Sequence, residues 1–256
     1  MSTLRARCPH CNTLTAVAIE RGYECHVCGR SYGAGLVRVA GSWGRGGEAM
    51  AEAARSLKLP WPEAAVVAEP VLAAQTTAIE RSLPAFPVIL GGCCCSHVGA
   101  IAGLARRHGR LAVVWFDAHG DLNTPETSPS GNEWGMPLRM AIDAGDVEAR
   151  DVALVGARSL DPPEVTYLET NGIDDDLERA VAGADAVYVA FDVDVLAPDA
   201  FTSFMPEPGG PTVEEACRIL EKLAKTTCPL VGFGFSGTVP ESEVPALERL
   251  AAAAGV

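Results

Sequence analysis

Five apolar runs constrain this chain more than any other feature: FPVIL (86–90), LAVVWF (111–116), DVALV (151–155), AVYVAF (186–191) and PLVGFGF (229–235). They carry no polar–apolar alternation, so a strand made of any of them must be covered on both faces. Between and around them lie segments with helical periodicity, among them EAMAEAARSL (48–57), PVLAAQTTAIERSL (70–83), HVGAIAGLARRHG (97–109) and TVEEACRILEKLAKTT (212–227). Such alternation predicts an α/β fold: a three-layer α/β/α sandwich around a mainly parallel sheet. In sheets of this kind the chemistry gathers at the carboxyl ends of the strands.

Composition fits a chain with a sizeable core, at 48% hydrophobic and 21% charged residues. No apolar run reaches the ~20 residues that cross a bilayer, and the N-terminal MSTLRARCPH lacks the basic-then-apolar pattern of a signal peptide. The expectation is therefore a soluble, cytoplasmic protein with no membrane partner. The net charge of −13 is uneven: residues 1–45 carry six Arg and two Glu, leaving −17 on the rest. An acidic body does not suit nucleic acid as a primary partner.

Nine cysteines without an export signal read as reduced thiols, some of them metal ligands. Cys8 and Cys11 form one CxxC, and Cys25 and Cys28 form another after thirteen intervening residues. Each CxxC turn aims two thiolates at one point, and two such turns close a tetrahedral Zn²⁺ site. Residues 1–40 are read as a small zinc-ribbon-like module and residues 41–256 as the main domain. The module is either a docking or nucleic-acid element or a metal-stapled extension that needs Zn²⁺ to fold.

Two strand ends carry unexpected carboxylates. VVWFDAHGD spaces Asp117, His119 and Asp121 at every second position, and VAFDVDVL does the same with Asp192 and Asp194. On extended backbone each set would project to one side. Four carboxylates and one imidazole at one sheet edge would repel unless cations sat between them, and the donor types suit Mn²⁺ or Zn²⁺.

FDAHGDLNTPETSPSGNEWGMPL and FDVDVLAPDAFTSFMPEPGG, with LVGARSLDPPE between them, resemble the arginase/agmatinase (ureohydrolase) family over roughly residues 85–240. The resemblance implies the same three-layer fold and hydrolysis of guanidino C–N bonds with two Mn²⁺ ions. It also implies a homo-oligomer, trimeric or hexameric, acting on a small-molecule substrate. Asp117 and Asp192 would bridge the metals, His119 and Asp194 would complete one site, and Asp121 the other. His119 and Asp121 are the catalytic candidates, Asp121 passing a proton to the leaving amine. Asn123, Ser130, Asn132 and Asp161 align with residues that hold the amino-acid end of the substrate, and Trp134 lies in the same segment.

Three positions depart from the family pattern. In GGCCCSH the metal-ligand slot, a histidine elsewhere, holds Cys94, with His97 three residues on. Trp134 replaces the histidine of the SGNxHG segment, a proton shuttle in arginases. Gly237 stands where the family has a guanidinium-contacting Glu, and Gly234 where it has an acid. A thiolate favours softer metals such as Zn²⁺ over Mn²⁺, while Trp134 cannot move a proton. Cys93 and Cys95 read as small packing groups or redox sensors. The expectation is a metal-dependent hydrolase of linear guanidino or amidine C–N bonds rather than a true arginase. Its alternatives are a single-metal, deacetylase-like amide hydrolase and a catalytically silent binding protein.

Overall fold

The computed structural model describes residues 4–256. Its small sheet pairs β1 (Arg5–Ala6), β2 (Ala16–Ile19), β3 (Gly22–Cys25) and β4 (Ser31–Tyr32) antiparallel in chain order. The large sheet contains β5 (Gly35–Val39), β6 (Glu63–Val67), β7 (Pro87–Gly91), β8 (Leu111–Phe116), β9 (Val152–Val155), β10 (Ala186–Asp192) and β11 (Leu230–Ser236). Its order is β6-β5-β7-β11-β10-β8-β9, and every pairing is parallel.

Successive side chains along a strand serve opposite faces, so each apolar run supplies two cores. On β8, Val114 and Phe116 join a cluster with helices α1 (Glu48–Ser56), α7 (Val213–Ala224) and α8 (Val244–Ala253). Val113 and Trp115 join the opposite cluster, under α2 (Leu72–Ser82), α3 (Ser96–His108), α4 (Pro137–Asp143) and α5 (Pro162–Asn171). The short α6 (Leu177–Val181) leans on the first face. Helix α7 shows why these segments are helical. Thr212 caps it in a reciprocal box with Glu215, and Ala216, Cys217, Leu220 and Leu223 form its buried stripe. Leu220 is fully buried, and its truncation to Ala would cost ~2–5 kcal/mol.

Two sequence expectations change here. The strand Gly35–Val39, which a boundary at residue 40 groups with the ribbon, lies inside the large sheet between β6 and β7. Strand β6 (EAAVV) has no counterpart in the sequence reading. It is a half-exposed edge strand whose run is short and rich in alanine, a residue that does not favour strands.

The ribbon seals that edge. Arg7 and Glu63 exchange backbone hydrogen bonds of 2.9 Å each way, an antiparallel bridge onto β6. Tyr23 packs over Gly35, where a Cβ would come within 2.5 Å of its ring, and Arg21 stacks 4.2 Å from the Phe86 ring centroid. An unpaired strand margin invites wrong pairing, and this contact blunts it.

The strand order also places the chemistry. β7, β11, β10 and β8 are consecutive neighbours in the middle of the sheet, so their carboxyl ends, with Cys94, Gly237, Asp192 and Asp117, converge.

Candidate active site

After β7 the chain turns sharply at Gly92, whose N–H donates to Val39 O at 2.8 Å and whose Cβ, if present, would lie 2.6 Å from Gly41 O. Cys93–Cys95 then wind into α3, with Ser96 N–H donating to Cys93 O and His97 N–H to Cys94 O. This turn buries Cys94 and points its sulfur at the other strand ends. Sγ lies 2.7 Å from Asp192 Oδ2, 3.2 Å from Ser236 Oγ and 3.6 Å from Asp117 Oδ2.

The carboxylates are fixed by local backbone rather than by strand alternation, which corrects the sequence reading. β8 stops at Phe116 and β10 at Asp192, where a 3₁₀ turn over Val193–Val195 begins. Asp117 Oδ1 accepts from His119 N–H at 2.7 Å, and its Oδ2 accepts from the Trp115 indole at 3.2 Å. Asp192 Oδ1 accepts from Asp194 N–H at 3.0 Å, its Oδ2 accepts from the Ser236 hydroxyl at 3.0 Å, and Asp194 Oδ1 accepts from Ala118 N–H at 3.0 Å. Asp121 sits in left-handed backbone at φ 52°. The carboxylates therefore meet because each strand ends in a turn that its own Asp caps.

Two donor sets result, sharing Asp117. Donor atoms of Cys94, Asp117 and Asp192 lie within 4.8 Å of one another, and so do those of Asp117, His119 and Asp194. Asp121 borders the same cavity with its Oδ2 buried and unpartnered among the described residues. His119 Nδ1 lies 3.3 Å from Asp117 and 3.1 Å from Asp194, and Nε2 lies 3.5 Å from Glu207.

Burial and mutual repulsion perturb every acidic group of this cluster for which a shift is resolved. Burial and the Asp194 charge push Asp192 up to about 7; burial and the Asp117 charge push Asp194 up to about 6. Burial and neighbouring carboxylates raise Asp121 and Cys94 well above their ordinary ranges. Burial works against a charged His119, yet its hydrogen bonds to Asp117 and Asp194 prevail and push it up to about 12. Each group is perturbed in the direction that a bound cation would reverse.

His97 is not part of either donor set. It is fully buried, with Nδ1 2.7 Å from Tyr188 Oη, Nε2 3.1 Å from Ser236 Oγ, and its ring edge-on to Trp115. Gly234 makes room for this arrangement, since a Cβ there would lie 2.5 Å from Tyr188 Oη and 2.7 Å from His97 Cε1. Ser236, Trp115 and Glu207 contact the ligand candidates, with Tyr188 bonded to His97 behind Ser236, and sequence reading did not find them. The one available signal was the polar Ser236 ending an otherwise apolar β11. At Gly237, with φ 72°, a Cβ would lie 2.2 Å from Asp192 Oδ1, so a side chain here would be strained and would displace the Asp192 carboxylate.

Asn123, Ser130, Asn132, Trp134 and Asp161 all line the same cavity, of about 270 Å³. Asp161 caps α5 in a reciprocal box with Glu164, whose other oxygen accepts from Leu122 N–H at 2.9 Å. That link presses the 121–123 loop onto α5 and brings Asn123 Nδ2 within 2.8 Å of Asp161 Oδ2. Ser130 Oγ accepts from Asn132 N–H at 3.2 Å, and Asn132 Oδ1 accepts from Arg45 N–H at 3.1 Å.

The ribbon cysteines form a separate set. Cys8, Cys11, Cys25 and Cys28 sulfurs lie within 4.8 Å of one another, with Cys8–Cys28 at 3.8 Å and Cys11–Cys25 at 3.6 Å. A tetrahedron with Zn–S bonds of ~2.3 Å has edges of ~3.8 Å, so the set fits Zn²⁺. The Thr15 hydroxyl and neighbouring backbone N–H groups pull the Cys25 thiol down to about 5.

Comparison with known proteins gives a consistent picture. The profile described as the Arginase family matches residues 52–254. The arginase of Bacillus subtilis (strain 168) is 34% identical over 168 residues, covering 54% of this chain and 56% of that protein. The chain thus spans a little over half the length of such a relative by sequence. The crystal structure of the arginase from Bacillus subtilis subsp. subtilis str. 168 superposes with a TM-score of 0.73 at 23% identity, covering 87% of this chain and 98% of that one. Proclavaminate amidino hydrolase from Streptomyces clavuligerus superposes at 0.66 with 20% identity, covering 91% and 89%. At these identities the superpositions establish the shared fold. No helix among the described residues is long and apolar enough to cross a membrane.

Proposed function

Because the chain belongs to the arginase family, we propose that it is a metal-dependent hydrolase of a linear, non-peptide C–N bond in a small guanidino, amidine or related compound. The observation that carries this reading is the pair of donor sets joined at Asp117, with the orphaned Asp121 Oδ2 beside them on one cavity. The residues fit two cations: Cys94, Asp117, Asp121 and Asp192 would hold one, and Asp117, His119, Asp192 and Asp194 the other. Bound cations lower the pKa of a shared water and polarise the electrophilic carbon. The thiolate of Cys94 favours Zn²⁺ over Mn²⁺ at the first position.

The chain's own groups supply the rest. The Asp121 carboxyl borders the cavity, where it can take up a proton and deliver it to the departing nitrogen. Glu207 and Asp194 orient the His119 ring from opposite sides. Asn123, Ser130, Asn132 and Asp161 present a polar rim for the far end of the substrate. Arginine itself is a poor fit, because Trp134 cannot shuttle a proton and Gly237 offers no counter-charge to a guanidinium. Assembly into a homo-oligomer, as the family resemblance implies, belongs to the same reading.

Metal counting on the purified chain, followed by a urea- and ammonia-release screen over guanidino and amidino compounds, tests it. Three metals per chain, one in the ribbon and two in the core, with release from at least one compound is the expected result. A single core metal would replace it with the single-metal amide hydrolase. A fully loaded protein that releases nothing would leave a ligand-binding role.

A further inference from the structure

The cavity lining is of two kinds. Asn123, Ser130 and Asp161 are polar, while Met50, Trp134, Phe204 and Met205 give it an apolar wall. Among the described residues no Lys or Arg lines it.

Trp134 is not loose filler on that wall. Its ring lies against the backbone of the glycine-rich GSWGRGG segment (41–47). A Cβ at Gly44 would collide with the six-membered ring, and one at Gly47 would come within 3.0 Å of it. The Trp134 N–H donates to Trp43 O at 3.1 Å, and Phe204 meets the indole edge-on at 5.7 Å between centroids. Met50 and Cys93 belong to the same small apolar cluster. The glycines thus have a physical task, which is to let an indole lie flat on backbone while it still borders the cavity. An aromatic face held in this way stacks on planar, apolar or charge-delocalised groups and gains little from a small, hydrated one.

The opposite requirement, a carboxylate for a free guanidinium terminus, is not met at Gly237, where a Cβ would press on Asp192 Oδ1. Resting on the reading of this cavity as a site of C–N hydrolysis, we propose that Trp134 is a specificity-determining residue. The substrate it selects is an amidine or amide bearing an aryl or similarly flat apolar substituent that packs on the Trp134–Phe204 wall.

Calorimetric titration of the purified, metal-loaded chain with benzamidine and with acetamidine tests this without reading turnover, so failure of the hydrolase assignment does not move its outcome. Benzamidine should bind about ten-fold more tightly, a difference of about 1.4 kcal/mol. Trp134→Ala should abolish that preference and leave acetamidine within about two-fold, on the scale of one lost stacking contact. Trp134→Phe should keep most of it. Gly44→Ala, which displaces the indole without removing it, should weaken benzamidine alone and guards against a misfolded alanine variant. Equal binding of the two probes, failure of benzamidine to bind, or an unchanged preference in Trp134→Ala and Gly44→Ala would overturn the proposal.

Discussion

The Cys94 sulfur lies 2.7 Å from Asp192 Oδ2, although the strands that deliver them, β7 and β10, are separated in the sheet by β11. A thiol and a carboxylate at that distance share a proton that an incoming cation must displace. Cys94→Ala should therefore lower the core metal content from two ions to one while the ribbon stays loaded. Cys94→His should restore two and shift preference from Zn²⁺ towards Mn²⁺. Elemental analysis after dialysis against mixed metals checks both; an alanine variant with undiminished metal would remove Cys94 from the ligand set.

Metal uptake should depend on pH in a defined window. Asp192 and Asp194 are raised to about 7 and about 6, so the metal-free native chain holds protons there that the unfolded chain has already released. Their effect on stability is neutral below the ordinary carboxylate range, becomes destabilising as pH rises above it, and levels off once pH passes about 6 and about 7. Cations reverse this by displacing the protons. Affinity should accordingly climb with pH across that interval, with net proton release on binding. Calorimetry at pH 6 in two buffers of different ionisation enthalpy measures the release, and identical heats in both would contradict it.

His97 works in the other direction. Burial depresses it to about 3, so the unfolded chain gains a proton as pH falls below 6.5 while the native chain does not. Its share of stability is full above pH 6.5 and is lost as pH falls towards 3, by up to about 1.4 kcal/mol per pH unit. His97→Gln, which can still bond Tyr188 or Ser236, should flatten the acid limb of a stability–pH curve from denaturant melts. An unaltered limb would mean that the imidazole is already charged in the native state.

The ribbon should stabilise the main body through β6. Cys11→Ser together with Cys28→Ser breaks the four-sulfur set, loosening the Arg7–Glu63 bridge and the Tyr23 contact with Gly35. Melting should fall by about 2–4 °C for each kcal/mol lost, and exposure of β6 should show as self-association in light scattering. A double variant that melts and scatters like the parent would make the ribbon an independent appendage.

Much of this architecture was legible in the residues. LAVVWF and AVYVAF are apolar at every position, and such runs have one comfortable place, inside a covered parallel sheet. EAAVV went unread although four of its five residues are apolar, because the run is short and alanine-rich and the strand draws its order from β5 and the ribbon. The carboxylates were visible, but the reason they converge was not: period-two spacing suggested strand alternation, whereas Asp192 and Asp117 each turn the chain by accepting from the N–H two residues on. Cys94 was found from its place after Gly91-Gly92. Ser236 was missed because its role depends on contacts with Cys94, His97 and Asp192, all distant in the chain, and no local pattern encodes that.

The Arg7–Glu63 bridge has a counterpart at the other margin of the large sheet, where Leu154 N–H on β9 donates to Asp174 O at 2.8 Å. Both outer strands are thus interrupted by the chain's own backbone. A neighbouring copy would find the hydrogen-bond ladder already interrupted at both points, so neither margin is a ready template for end-to-end ribbons of molecules. The strands whose ends carry the carboxylates lie inside that closed order.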